Sequence, residues 1–157
     1  MQIIFGASRN ELIGSKILQI HMKTDYSHVY VRWYLESQER AIVYQASHGS
    51  VHFRSLDNFT KDNIIVREFV LDVTDEQFKK FSQKCIDLAG EKYSSLQLLQ
   101  IWLSDALGGI VQFSDQSGYI CSELMCELLE DLGLKFDKPK FLVKPRDIID
   151  TLTKHLS

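Results

Sequence analysis

The stretch HVYVRWYLESQERAIVYQAS, residues 28 to 47, decides the fold. Five of its first eight residues are β-branched or aromatic, the side chains that suit a pleated, half-buried surface. Strand alternation sorts them into two faces. Val29, Val31, Trp33 and Leu35 share one; His28, Tyr30, Arg32 and Tyr34 share the other. The polar loop ESQER then leads into AIVYQAS, a second strand, so the stretch closes as an antiparallel hairpin. Its register is open, and a slip of one residue exchanges the faces of the second strand. One register sets Gln45 and Ser47 on the face of His28; the other sets Tyr44 and His48 there.

Working outward, MQIIFG at the start reads as a short strand or extended entry. Asn10 is placed to cap a helix from Glu11 to about Met22, with apolar Leu12, Ile13, Ile17, Leu18 and Ile20. GSVHF, from Gly49, reads as a third short strand after the hairpin, and IIVREFVL, residues 64 to 71, as a fourth. Thr74 opens T-D-E-Q, a capping box with Gln77 at the third helical position. Phe78, Phe81, Cys85, Leu88 and Ala89 follow at helical spacing, and Gly90 is a stop. LQLLQIWLSDALGGIVQF, residues 96 to 113, is strongly apolar and reads as a buried helix ended by Gly108-Gly109. Cys121 to Leu132 form the next helix, closed by Gly133, and KPRDIIDTLTKHL supplies a last one with Pro145 near its start. Strands come first and helices follow, which predicts an α+β class with an antiparallel sheet, in a single domain over residues 1–157.

A net charge of −3 gives no basic excess to attract nucleic acid. No apolar run approaches the length of a membrane span. The first residues lack a basic leader and a small-residue cleavage site, so the expectation is a cytoplasmic protein without a signal peptide. Three cysteines, Cys85, Cys121 and Cys126, cannot all pair with one another. At roughly 100° per residue Cys121 and Cys126 point in different directions from one helix. Free thiols in a reducing compartment are expected. No His, Cys, Asp and Glu spacing suggests a metal, and no glycine-rich loop is placed to cradle phosphate, so no cofactor is expected.

The chemistry centres on YICSELMCELLEDLG, residues 119 to 133. A free cysteine has a pKa near ~8.5, and the thiolate is its reactive form. The partial positive charge of a helix N-terminus favours that anion, and the N–H groups there can hold a developing oxyanion. Cys121 falls in the first turn. Packing is the competing account, because Cys121, Leu124, Leu128 and Leu132 share one helical face. A cysteine nucleophile needs a base, and His28 is the best placed of the five histidines. It opens a strand, on the face opposite Val29, Val31 and Trp33, after polar Tyr26 and Ser27. His21, His48, His52 and His155 are less well placed. A third polar group should orient the base. Gln45 can accept from the imidazole N–H, and His48 takes that place in the other register. Tyr26, Tyr93 and Tyr119 adjoin these elements as candidates to line a substrate cleft, with aromatic packing the alternative.

At these residues the chain resembles the circularly permuted NlpC-like branch of papain-fold cysteine hydrolases and acyltransferases. The matching pieces occur in that branch's order. They are SRNELIGSKILQI before Tyr26-Ser27-His28-Val29, and the hairpin into Val43-Tyr44-Gln45-Ala46. Gly49-Ser50-Val51 with Ser55-Leu56-Asp57-Asn58-Phe59 comes next, then Gly90-Glu91-Lys92-Tyr93. Tyr119-Ile120-Cys121-Ser122-Glu123-Leu124 and Lys144-Pro145-Arg146-Asp147-Ile148 complete the set. The S-H-V and C-S-E-L pieces are the most specific.

The resemblance implies a permuted papain-like fold, Cys121 as nucleophile and His28 as general base. The branch's third polar position, often a glutamate, falls on Gln45. The implied reaction is acyl transfer: cleavage of an amide, ester or thioester in a peptide, a lipid or a protein conjugate. A cell-wall peptide would be reached only by lysis or delivery in a phage particle. The rival expectation is an inactive papain-fold module that binds a protein or peptide. The exchange of glutamate for Gln45 and the missing export signal favour that rival.

Overall fold

The structure is a computed structural model, and it describes residues 1–92 and 120–156. The elements run β1 (Gln2–Arg9), α1 (Ile13–Met22), β2 (His28–Leu35), β3 (Arg40–Ser47), β4 (Ser50–Ser55), α2 (Leu56–Asp62), β5 (Ile64–Asp72), α3 (Asp75–Asp87), α4 (Cys121–Asp131) and α5 (Pro145–Leu156). The five strands form one antiparallel sheet in the order β4-β3-β2-β1-β5. With five α-helices among the described residues, the class is α+β, as the order of strands and helices predicts. The expected apolar helix within residues 96 to 113 lies outside the described residues.

The hairpin settles in one register. Val31 pairs with Tyr44 and Arg32 with Val43, so Gln45 joins the face of Tyr30 and Arg32, and Tyr44 joins the face of Val31. The β3–β4 turn holds this alignment. His48 and Gly49 lie at φ 50° and 91° between the pair Ser47 and Ser50, the left-handed conformations that a two-residue hairpin loop requires. Gln45 therefore stands opposite His52 on β4.

The main core lies on the Val29, Val31 and Trp33 face, where Ile3, Phe5, Ala7, Tyr44, Ala46 and Val51 of the sheet meet Phe81 and Cys85 of α3, Leu124 and Leu128 of α4, and Ile149 and Leu152 of α5. Trp33 stacks edge-on to Phe81 at 5.3 Å between ring centroids. The Thr74–Gln77 capping box opens α3 with both of its hydrogen bonds.

On the other face Tyr30 packs against Phe59 of α2, with ring centroids 4.6 Å apart. Its hydroxyl donates to Glu68, which also accepts two hydrogen bonds from Arg32 at 2.7 and 2.6 Å. The Tyr30 ring crosses Gly6 so closely that a Cβ there would lie 2.5 Å from Tyr30 Cζ. Because the ring is held at its hydroxyl and pinned by Phe59, Gly6→Ala is expected to destabilise the fold by about 1–3 kcal/mol, the usual range for overpacking. The measurement is the urea midpoint. An unchanged midpoint would mean the ring moves aside freely.

One boundary differs from the sequence expectation. Asn10 does not cap a helix at Glu11. Its side-chain oxygen accepts from the Leu12 N–H in a short turn, and α1 begins at Ile13 after an N-cap Leu12 with no side-chain cap. The strand β1 extends to Arg9 and takes up the chain that an earlier helix start would need. Leu18 and Met22 of α1 are buried, whereas Ile17 and Ile20 are 50% and 79% exposed.

Candidate active site

His28 opens β2, and the β2–β3 ladder has its last pair at Val31 and Tyr44, so His28 and Val29 lie beyond the end of that pairing. There the side chain of His28 meets that of Gln45: imidazole Nε2 stands 2.8 Å from the Gln45 amide oxygen. Gln45 is buried, at 2% exposure. Its amide nitrogen is 3.3 Å from Nε2 of His52, whose Nδ1 is 3.1 Å from the Ser50 carbonyl oxygen.

The directions of these bonds follow from one end. A carbonyl oxygen only accepts, so His52 Nδ1 donates to Ser50. The Gln45 amide nitrogen can only donate, so Nε2 of His52 accepts from it. The Gln45 oxygen is left to accept from His28 Nε2–H, and His28 Nδ1 carries the free lone pair. Burial pushes the His28 imidazole down from its ordinary value to about 4, and the hydrogen bond to Gln45 opposes this only in part. His48 and His52 add smaller repulsions. The ring is a neutral base at neutral pH.

Cys121 is the first helical residue of α4, after an extended N-cap Ile120. The helix packs on β2 and β3. Ser122 anchors its first turn by donating to the Val143 carbonyl. Cys121 is 3% exposed and belongs to the main apolar cluster. Burial pushes its thiol up to about 11, while the backbone N–H groups of Val29, Ser122 and Cys121 itself pull the other way. Val29 is the residue next to His28, so the sulfur meets backbone adjoining the residue that carries the imidazole, while the His28 side chain itself lies on the Gln45 side. Cys85 and Cys126 are also buried and free. Burial raises both thiols, Cys126 to about 12, with no backbone N–H group acting against it. Among the three thiols, only Cys121 faces amide donors.

The other expected site residues are placed as follows. Tyr26 is packed in the main core at 6% exposure, and burial pushes its phenol up to about 12. Ser27 beside it is equally buried, so this approach to His28 is walled rather than open. Tyr93 and Tyr119 lie outside the described residues. His48 sits exposed in the β3–β4 turn, its Nδ1 3.1 Å from its neighbour Ser47, so the position on the His28 ring belongs to Gln45. His52 is the residue that sequence reasoning passed over. Its signal was present: the two residues His48-Gly49 between β-forming runs fix which side chain of β4 opposes Gln45.

No His, Cys, Asp or Glu group of three or more converges among the described residues. No described helix is long and apolar enough to cross a membrane.

No protein-family model matches the chain, and no curated protein matches it. Among solved structures, it is similar to the crystal structure of the metalloprotein YiiX from Escherichia coli O157:H7, DUF1105, with a TM-score of 0.63 over 95% of this chain and 90% of that one. The two are 18% identical, and at that level the likeness concerns the fold.

Proposed function

We propose that the chain is a cysteine-dependent acyl-transfer enzyme of the permuted NlpC-like, papain-fold kind. Cys121 is the nucleophile, His28 the base and Gln45 the group that orients the base. The observation that carries this reading is the 2.8 Å contact between His28 Nε2 and the Gln45 oxygen. It leaves Nδ1 as an acceptor, and the Cys121 sulfur faces the N–H of the next residue, Val29.

The chemistry follows from two neutral groups. With the thiol raised and the imidazole lowered, the resting pair is Cys–SH and neutral His28 rather than a standing ion pair. His28 Nδ1 takes the thiol proton as sulfur attacks an acyl carbonyl. The N–H groups at the start of α4 stabilise the oxyanion. The imidazolium then protonates the leaving group, and water or another acceptor releases the acyl chain from sulfur. Gln45 holds the ring but brings no negative charge to the imidazolium.

The YiiX structure is that of a metalloprotein. In this reading the protons are taken and given by this chain's own groups, with His28 and His52 each meeting Gln45 through Nε2. The substrate is an amide, ester or thioester of a peptide, lipid or protein conjugate.

The test is acyl-enzyme formation. The protein is incubated with a p-nitrophenyl ester, and the mass adduct is mapped by peptide digestion. A single acyl adduct on Cys121, absent in Cys121→Ser and absent from Cys85 and Cys126, is the expected result. Equal adducts on all three thiols, or none, would leave the peptide-binding module as the better account.

A further inference from the structure

We infer that His52 is a positioning residue that sets the proton on His28, through the Gln45 amide, so that Nδ1 is free to act as the base; this rests on the reading of Cys121 and His28 given above. The argument is one of donors and acceptors. An amide can face His28 with its oxygen or with its nitrogen, and Gln45 is buried where neither end meets bulk solvent. With oxygen toward His28, the ring carries its proton on Nε2 and offers Nδ1. With nitrogen toward His28, Nε2 must accept, the proton moves to Nδ1, and the base is blocked. Nothing in Gln45 itself chooses between these states. His52 makes the choice: the Ser50 carbonyl takes its Nδ1 proton, and its Nε2 lone pair then needs the amide N–H of Gln45. The sheet keeps the relay aligned, since Gln45 and His52 are directly paired across β3 and β4. A chain of three side chains thus ends on a backbone carbonyl that cannot reverse its role.

His52 lies on the far side of Gln45 from His28 and touches neither the sulfur nor a substrate in this scheme. Its removal changes the fraction of molecules with a competent base, and the observed rate scales with that fraction. His52→Leu deletes the acceptor and strands a buried amide N–H. An unsatisfied carbonyl is tolerated better than an unsatisfied N–H, so the amide turns in part of the population. His52→Lys presents donors only and favours the turned amide. His52→Gln returns a side-chain oxygen to the same reach.

The experiment reads tautomers directly, by long-range ¹⁵N–¹H correlation of the His28 ring in the full chain, and kinetics by acylation of Cys121 with the p-nitrophenyl ester. The wild type is expected to show His28 protonated at Nε2. In His52→Leu the two tautomers mix, and acylation slows roughly 2–5-fold. In His52→Lys the Nδ1–H form dominates, and acylation slows by at least about 10-fold. His52→Gln restores both readouts. A His28 tautomer unchanged in the Leu and Lys variants would overturn the role of His52, even with Cys121 active. Absent acylation in the wild type would instead strike at the enzyme reading, while the tautomer shifts remain measurable.

Discussion

Replacing His28 with alanine is expected to slow Cys121 acylation at neutral pH by roughly 10²–10⁴-fold, the usual contribution of a positioned general base. Burial sets the pH range over which that loss is read. The Cys121 thiol sits near 11, so without an acceptor it must give its proton to water before it can attack. The His28 imidazole, near 4, is already neutral and needs no deprotonation to serve. The pH profiles separate the two cases. Wild-type acylation should be nearly flat from about pH 6 to 9, where the base is neutral and the thiol protonated. The alanine variant should rise about tenfold per pH unit over the same range, following the thiolate fraction. His28→Gln, which keeps a polar side chain at the head of β2, should behave like alanine in rate and profile. Equal rates and parallel profiles for wild type and both variants would remove His28 from the chemistry and return Cys121 to the core.

Much of this arrangement could be read from periodicity. The alternation in β2 identified the buried face, Thr74 and Gln77 announced the start of α3, and Gly133, at φ 94°, closes the Cys121 helix region where expected. The position of Cys121 at the head of α4 was equally plain. Alternation cannot tell which strand slips against which, so it left the register open, with Gln45 on the His28 face in one alignment and His48 in the other. Turn geometry decided between them, through left-handed His48 and Gly49. The same turn brings His52 to the site, a partner that lies one strand away and seven residues on from Gln45. Helix α2 was also missed: seven residues with one buried aromatic, Phe59, are too short to show a helical period. Local pattern specified the elements, while the site formed where strand register and a two-residue loop met.

Acidification should destabilise the fold through the same imidazole. His28 has a folded-state pKa of about 4, below its ordinary 6.5, so between those values the unfolded chain binds a proton that the folded chain refuses. Stability is therefore complete above the unfolded value and falls as pH drops toward the folded one. With one pKa unit equal to about 1.4 kcal/mol, the loss from this group between about pH 7 and pH 5 comes to about 2 kcal/mol. His28→Gln keeps a hydrogen-bonding side chain beside Gln45 and removes the titration. Its urea midpoint should fall less than that of the wild type over this range, and the two stability curves should converge toward acid. Taking the difference between the two proteins cancels the other histidines and the carboxylates, which titrate in both. The thiol acts at the opposite end. Cys121 is held near 11, above the usual thiol value, so it weakens the fold only as pH rises past that usual value, and Cys121→Ser should flatten the alkaline limb. Parallel acid limbs for wild type and His28→Gln would show that the imidazole takes up its proton in the folded state at an ordinary pH, and the buried neutral base would then be lost with it.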